Sequence, residues 1–289
     1  MRERAVSFGP SGTLSGVVTE PAAGSPKRPA VLLLNAGLLH RVGPNRLYVT
    51  IARRLAAAGW PVLRFDYSGL GESDARRDEV PLLQSMSEEG KAAMDFLAKE
   101  GVADTFIPMG LCAGAENAQR LARDDARVVG AVLIDGYAYR TPGYYARVVL
   151  RRVLSARSWK NLLAHPHLWG KILGGVAGST WREAPVGGGN PGGVDFVREF
   201  PPRETCLAEL QKIVGGGAEL LFIFTGGGMT DYYNYEGQFG DTFPALRGNA
   251  RVRVEFMNSA DHTFTLRADQ QVLLSSIDAW FAARAAGTK

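Results

Sequence analysis

The sequence is poor in cysteine and has no long apolar run. Its two cysteines, Cys112 and Cys206, lie far apart in the 289-residue chain. They provide no disulfide framework and suit a reducing cytosol, so a cytoplasmic protein is expected. Because no run reaches the ~18 apolar residues of a membrane span, we expect no transmembrane segment. The first eight residues alternate charged and apolar side chains, which argues against a signal peptide.

Spacings typical of metal and nucleotide sites are also missing. There is no Cys-x-x-Cys or His-x-x-x-His pair, and His165-Pro166-His167 is a poor chelate because proline restrains the backbone. The glycine runs at 187–189, 215–217 and 226–228 do not match a phosphate-binding Gly-x-x-x-x-Gly-Lys loop. The net charge is only +4 and no nucleic-acid reader motif occurs. We therefore expect no metal, no cofactor and no nucleic-acid partner.

Strand-like and helix-like segments alternate along most of the chain. Residues 4–8 and 14–19 alternate around Gly9-Pro10-Ser11-Gly12, which predicts a β-hairpin. Further strands are predicted at 30–34, 61–65, 106–109, 128–135, 220–225 and 251–257, and helices at 45–58, 87–99, 115–123 and 269–284. This order predicts an α/β fold with a mostly parallel, doubly wound sheet and a functional site at the carboxyl ends of its strands.

The most specific motif is Gly110-Leu111-Cys112-Ala113-Gly114, which joins an apolar run to a helix-like run. It has the form Gly-x-nucleophile-x-Gly, a sharp strand-to-helix turn in which a side chain at either glycine would clash with its neighbours. The turn strains its central residue and presents it at a helix N-terminus, where backbone N–H groups favour a thiolate. Cys112 is therefore the predicted nucleophile, whereas Cys206 fits a small buried hydrophobe.

Two further catalytic candidates follow later strands. Asp231 lies just past the apolar run at 219–225, and His262 lies just past the run at 252–257. His262 would accept the thiol proton or stabilise the thiolate and then protonate the leaving group, while an acid on the far side of the imidazole would fix its tautomer. The remaining histidines have no comparable position after a strand: His40, His165 and His167.

The choice of the acid is less determined than the choice of the other two residues. Asp231 is preferred because it lies in the loop after the second-to-last strand, although Glu236 and Asp241 follow in the same segment. Asp261 is adjacent to His262, so its side chain is expected to point elsewhere and to cap the loop. The predicted triad is therefore Cys112, His262 and Asp231.

The chain order nucleophile, acid, histidine resembles the α/β-hydrolase superfamily over nearly the whole length. More narrowly, the chain resembles bacterial hydrolases associated with exosortase A systems and hydrolases of acyl-assembly pathways. This resemblance is carried by His40-Arg41-Val42-Gly43-Pro44-Asn45-Arg46, by Leu-Arg-Phe-Asp-Tyr-Ser-Gly-Leu-Gly-Glu-Ser at 63–73, and by the cysteine-containing turn. It implies a Cys-His-Asp triad and chemistry on an acyl group. The turn also resembles those of dienelactone hydrolases and polyhydroxyalkanoate synthases, so hydrolysis and acyl transfer both stay open.

Two backbone N–H groups are expected to stabilise the oxyanion. One belongs to Ala113, directly after the nucleophile, and the other to the loop after the first buried strand. Many relatives have His-Gly in that loop, where this chain has Asn35-Ala36. The second donor is therefore Gly37 or Leu38, and Leu38 is preferred.

Two arginines, Arg41 and Arg46, follow this loop closely. They would either hold the loop through carboxylates such as Asp66 or Glu72, or contact an anionic substrate. The first role is preferred.

Residues 137–217 are too long for a crossover between strands and predict a cap or lid inserted into the hydrolase core of 1–136 and 218–289. Two or three helices are expected within 142–173, a glycine-rich loop at 187–193 and a returning helix at 207–214. Caps of this kind supply an acyl pocket and exclude water. Four aromatic residues are candidate anchors of the cap: Tyr144, Tyr145, Trp159 and Trp169.

The predicted cap also carries a basic run without an Asp or Glu. It comprises Arg140, Arg147, Arg151, Arg152, Arg157, Lys160, Lys171 and Arg182. Such a run would attract an acidic carrier protein, a phosphopantetheine-bound acyl substrate, another anionic substrate or an anionic membrane surface. A solvated helix face explains it equally well.

Four functions are compatible with these residues. The first is a thiol-dependent hydrolase that cleaves an ester, lactone or thioester through an acyl-Cys112 intermediate. The second is an acyltransferase that passes the same acyl group to an alcohol or amine, which a dry pocket would favour. A non-catalytic binding protein and a cofactor-free lyase or isomerase are less consistent with a complete triad and an acyl-type oxyanion loop.

Overall fold

An eight-stranded sheet forms the centre of the computed structural model, which describes residues 1–155, 200–227 and 233–287. The strands are β1 (Arg2–Phe8), β2 (Leu14–Glu20), β3 (Ala30–Leu34), β4 (Val62–Phe65), β5 (Phe106–Leu111), β6 (Gly130–Ile134), β7 (Glu219–Gly227) and β8 (Val252–Asp261). Their spatial order is β1-β2-β4-β3-β5-β6-β7-β8. The order reverses between β3 and β5, and ligands of open α/β sheets bind in the crevice at such a reversal.

The strands from β3 to β8 are parallel to one another, whereas β1 and β2 form an antiparallel hairpin that pairs with β4. Every residue of β3, β5 and β6 is buried, because helices cover both faces of the sheet. The predicted hairpin and the predicted mostly parallel, doubly wound sheet are confirmed.

The described helices are α1 (Leu47–Ala57), α2 (Leu82–Lys99), α3 (Ala113–Asp124), α4 (Pro142–Leu154), α5 (Arg203–Gly215), α6 (Gln238–Thr242) and α7 (Arg267–Gly287). Helix α2 begins before the predicted start at residue 87, directly after Pro81. Its first two residues, Leu82 and Leu83, are exposed, so the apolar pattern does not reveal the first turn. None of the described helices is long and apolar enough to cross a membrane.

The sheet separates two apolar cores. Helices α2, α3 and α5 pack on one face, where Met94, Leu121 and Leu210 are fully or almost fully buried. Helices α1 and α7 pack on the other face around residues such as Ile51 and Phe281. Because both faces are covered, the loops at the carboxyl edge of the sheet are the accessible place for a site.

The described part of the predicted cap region consists of α4 and α5. The amide of Asn234, in the segment after β7, donates to the carbonyl of Tyr144 in α4 at 3.0 Å. The hydroxyls of Thr141 and Tyr235 lie 2.7 Å apart and join the same two segments. Helix α5 returns to the core and contains the predicted helix at 207–214. Trp159, Trp169 and the glycine-rich loop at 187–193 lie outside the described residues, so the cap stays a prediction.

Candidate active site

Cys112 lies between the end of β5 and the first residue of α3. Its backbone has φ 59° and ψ −124°, in the left-handed region that favours glycine and strains other residues. Its N–H donates to the carbonyl of Ile134 in β6 at 2.8 Å, which fixes the turn to the neighbouring strand. The half-buried Cys112 is thus held at the N-terminus of α3 at the carboxyl edge of the sheet.

Close packing explains both glycines of the turn. A Cβ atom on Gly110 would lie 2.2 Å from the backbone carbon of Gly114. A Cβ atom on Gly114 would lie 2.6 Å from the carbonyl oxygen of Leu34 and 2.8 Å from that of Asn35. The loop after β3 therefore packs directly against the turn that presents Cys112, as an oxyanion loop must.

The imidazole of His262 lies between Cys112 and Asp135. Its Nδ1 is 2.8 Å from Oδ2 of Asp135, and the ring also hydrogen-bonds Cys112. The side chain of His262 is 18% exposed, whereas that of Asp135 is completely buried. The structure thus brings together two of the three residues predicted for the triad, with a different carboxylate on the far side of the imidazole.

Asp135 directly follows β6, and its backbone has φ 47°. Asp and Asn adopt this left-handed conformation more readily than other side chains. The carboxylate accepts hydrogen bonds from the N–H of Thr225 at 2.8 Å and from its hydroxyl at 2.7 Å. These bonds to β7 hold the oxygen that faces His262 in a fixed position.

Asp231, the acid preferred from the sequence, lies outside the described residues. Asp135 is not among the acids predicted from the sequence, where it is the last residue of the predicted strand at 128–135. A signal was present, because an acidic residue directly after a fully apolar strand lies at the carboxyl edge of the sheet. Asp261 behaves as expected, since its Oδ1 accepts from the N–H of Thr263 at 2.9 Å and caps its own loop.

Opposing effects determine the pKa of His262. Burial by itself lowers that pKa, but the hydrogen bonds to Asp135 and Cys112 and the negative charge of both partners raise it. The net effect raises the pKa of His262 to about 9. An imidazolium at neutral pH beside the sulfur is the arrangement that activates cysteine as a thiolate.

The expected oxyanion donors belong to α3 and to the loop after β3. Ala113 is the first residue of α3, and first-turn N–H groups of a helix have no intrahelical partner. In the loop after β3, the N–H of Leu39 donates to the carbonyl of Ala36 at 3.1 Å and closes a turn in which Gly37 has φ 59°. Leu38 lies within this turn, so it keeps its place as a proposed backbone donor together with Ala113.

Arg41 has the structural contacts expected of it. Its guanidinium bridges the carboxylates of Asp66 and Glu72, and its side chain is 11% exposed. Nearby, the amide of Asn45 donates to the carbonyl of Thr263 at 3.1 Å, which joins the segment after β3 to the loop that carries His262. Arg46 lies at the start of α1 with φ 61° and is exposed.

The charge state of His262 leads to a testable pH dependence. We expect iodoacetamide to alkylate Cys112 at a rate that changes little between about pH 6 and pH 8, because imidazolium favours the thiolate below a His262 pKa of about 9. His262→Gln removes this charge. Its alkylation rate should be lower at pH 6 and should rise toward about pH 8.5, where an ordinary thiol ionises. Mass spectrometry of the Cys112 peptide measures both profiles, and identical profiles would contradict the pairing.

A family model described as serine aminopeptidase, S33, matches residues 28–175, just over half of the chain. An esterase from Pyrococcus furiosus is 14% identical to this chain with a TM-score of 0.62, and the match covers 98% of this chain and 91% of the esterase. The esterase domain of a Rhodothermus marinus protein is 20% identical with a TM-score of 0.55 and coverages of 96% and 97%. An α/β serine hydrolase without lid from Xanthomonas campestris is 16% identical with a TM-score of 0.54 and coverages of 96% and 92%. The fold shared with these structures is the α/β-hydrolase fold. No curated protein sequence matches the chain.

Proposed function

Since the chain belongs to the serine aminopeptidase S33 family, we propose that it is a hydrolase that cleaves an ester, lactone or thioester through an acyl-Cys112 intermediate. The observation that carries the proposal is the position of His262, hydrogen-bonded to Cys112 on one side and to the buried carboxylate of Asp135 on the other. Nucleophile, base and orienting acid are then in contact in the order that acyl transfer requires.

The first half of the reaction acylates the sulfur. The Cys112 thiolate attacks the acyl carbon, and the carbonyl electrons move onto oxygen beside the proposed N–H donors of Ala113 and Leu38. When the tetrahedral adduct collapses, the bond to the leaving group breaks and imidazolium of His262 supplies its proton. Asp135 keeps the Nδ1 proton in place throughout. The products are a thioester at Cys112 and the free alcohol or thiol.

The second half releases the acid. Neutral His262 takes a proton from water as the water oxygen attacks the thioester carbon, and the sulfur leaves as thiolate. The carboxylic acid departs and the imidazolium–thiolate pair is restored. The family description refers to serine, whereas this chain has cysteine in the turn. The resemblance to exosortase-associated and acyl-pathway hydrolases supports the use of that cysteine.

A second candidate is acyl transfer to an alcohol or amine, which the cysteine itself favours. A thioester reacts readily with amines, so the same intermediate can pass its acyl group to an acceptor other than water. Both candidates need a free, reduced Cys112, which suits the cytosol.

The proposed acyl donor is small or is bound to an anionic carrier. The basic run supports the second option, and within the described residues Arg140, Arg147, Arg151 and Arg152 belong to it. Arg147 also packs over the ring of Tyr235 at 3.8 Å, so part of its role is structural. Of the rest of this run, Arg157, Lys160, Lys171 and Arg182 lie outside the described residues.

Intact-mass measurement tests both functions and the donor. The protein is incubated with a small neutral activated ester and with a pantetheine or carrier-bound thioester of the same acyl group, with and without amine or alcohol acceptors. We expect one added acyl group, released as free acid. Acylated acceptor in excess of free acid would favour the transferase instead.

The salt dependence separates the two donors. If a carrier is recruited by charge, acylation by the carrier-bound donor weakens with rising salt over the ~8–10 Å Debye range, while acylation by the neutral ester does not. Equal salt dependence would remove the carrier from the proposal. Failure of every donor to add a mass to the protein would overturn the catalytic proposal itself.

A further inference from the structure

We propose that the buried carboxylate of Asp66 is a positioning residue that fixes the oxyanion loop, defined as residues 35–41, and thereby sets the rate at which Cys112 is acylated. The proposal rests on the proposed function, since it assigns the loop a role in the acyl chemistry of Cys112. Asp66 follows β4, beside β3, and touches neither the nucleophile nor His262 in any hydrogen bond described above.

Asp66 holds both ends of the oxyanion loop. Its Oδ1 accepts from the amide of Asn35 at 3.1 Å and from the backbone N–H of Arg41 at 2.6 Å. Its Oδ2 accepts from the guanidinium of Arg41 and from the N–H of Glu72 at 3.3 Å. One carboxylate thus fastens the first and the last residue of the loop to the end of β4.

Asn35 connects Asp66 to the middle of the loop through hydrogen bonds. Its amide also donates to the carbonyl of Leu39 at 2.8 Å, and its Oδ1 accepts from the N–H of Tyr67 at 3.0 Å. Leu39 closes the turn that contains Leu38, the proposed donor. Asn35 thus uses both polar atoms of its side chain to join the turn to the end of β4.

The loop has little freedom against the nucleophile turn. The carbonyl oxygen of Asn35 is 2.8 Å from the point where a Cβ atom on Gly114 would lie, two residues after Cys112. A displacement of the loop therefore changes the distance from the donor of Leu38 to the oxyanion. Donors act only at hydrogen-bond distance from the developing charge, so acylation is sensitive to this displacement.

The charge of Asp66 is what allows this set of bonds. The side chain is completely buried and accepts from two amide-type N–H groups, a guanidinium and a further backbone N–H. A carboxylate has acceptor sites for all of them. Asparagine of the same size has one oxygen and an NH₂ group, which would face donors and leave them without an acceptor.

The test compares two reactions of the same sulfur. Acylation by an activated ester forms an oxyanion, whereas alkylation by iodoacetamide displaces iodide and forms none. We expect Asp66→Asn to lower the rate of Cys112 acylation by about 10²-fold, the effect of losing one oxyanion donor. Alkylation of Cys112 should stay within about twofold, since the thiolate and His262 are unchanged.

Glu72→Gln is the matched control. Glu72 also binds the guanidinium of Arg41, but its side chain is 67% exposed and its carboxylate is not bonded to the backbone of the loop. Acylation should hardly change in this variant. Asn35→Ala, which keeps the pair of Asp66 and Arg41 but frees the carbonyl of Leu39, should slow acylation as Asp66→Asn does, and it carries the test if Asp66→Asn fails to fold.

Hydrogen exchange at the backbone amide of Leu39 measures how well the loop is ordered and does not depend on catalysis. This amide should exchange at least about tenfold faster in Asp66→Asn and Asn35→Ala than in the wild type. Its exchange rate should be unchanged in Glu72→Gln. Unchanged exchange, or equal losses of alkylation and acylation, would overturn the positioning role. A wild type that is never acylated while Leu39 exchange responds as expected would overturn the proposed function and leave Asp66 as the residue that orders this loop.

Discussion

Cys112→Ala is expected to abolish acylation of the protein and to lower its esterase turnover by at least about 10³-fold. The reason is that the variant has no atom to form the covalent bond, while the turn, the oxyanion loop and His262 stay in place. Alanine removes only the sulfur from a half-buried site, so little loss of stability is expected. Intact mass after incubation with an activated ester, together with ester hydrolysis rates, measures the effect.

The control for this experiment is Cys206→Ala. Cys206 lies in α5, and burial raises its pKa to about 11, so it carries little thiolate at neutral pH. The side-chain amide of Gln119 donates to the sulfur of Cys206 at 3.6 Å, and Gln119 is not a catalytic candidate. Acylation should be retained in this variant. An acyl label that persists in Cys112→Ala would refute Cys112 as the nucleophile.

Asp135→Asn is the second large expected effect, with turnover reduced by about 10³- to 10⁴-fold. Asparagine fits the left-handed backbone at this position, and its oxygen can still accept from the N–H of Thr225. Its NH₂ group, however, would donate to Nδ1 of His262. The ring proton would then sit on the other nitrogen, which could no longer accept a proton during the reaction. The pKa of His262 should fall from about 9 toward its ordinary value, because the negative charge beside it is lost.

Histidine NMR titration can follow this pKa directly, since the chain has only four histidines. Asp261→Asn is the matched control, because Asp261 is adjacent to His262 but binds Thr263 in its own loop. It should alter turnover only slightly. Asp231→Asn should also be mild if Asp135 is the acid. A large loss in Asp231→Asn with a small loss in Asp135→Asn would restore the preference for Asp231.

The parts of the molecule that depend on neighbouring residues in the chain could be predicted from the sequence. The turn around Cys112 follows from two glycines between an apolar strand and a helix, and the close contacts of Gly110 and Gly114 account for both. The hairpin and the parallel strands follow from apolar periodicity. The position of His262 could be predicted because it directly follows a strand.

The acid could not be predicted in this way, because several loops end at the same edge of the sheet. Asp135 and Asp231 both follow apolar runs, and the local pattern gives no preference for the contact with His262. That contact depends on the order β6-β7-β8 and on the bonds from Thr225 that turn the carboxylate of Asp135 toward the imidazole. The hydrogen bonds of Asn35 to Leu39 and Asp66 also depend on the tertiary structure, so the sequence pattern does not reveal them.

The positions of the catalytic candidates along the chain determine when a newly made protein becomes reactive. Synthesis runs from the N-terminus, so Cys112 and Asp135 leave the ribosome long before His262, which follows β8. Until β8 pairs with β7 and Asn45 binds Thr263, the sulfur has no imidazolium beside it. On the proposed mechanism, the growing chain therefore lacks the imidazolium that favours the thiolate and does not react with an acyl donor. On that mechanism, Cys112 becomes reactive only when the last third of the protein joins the middle third, which carries Cys112 and Asp135.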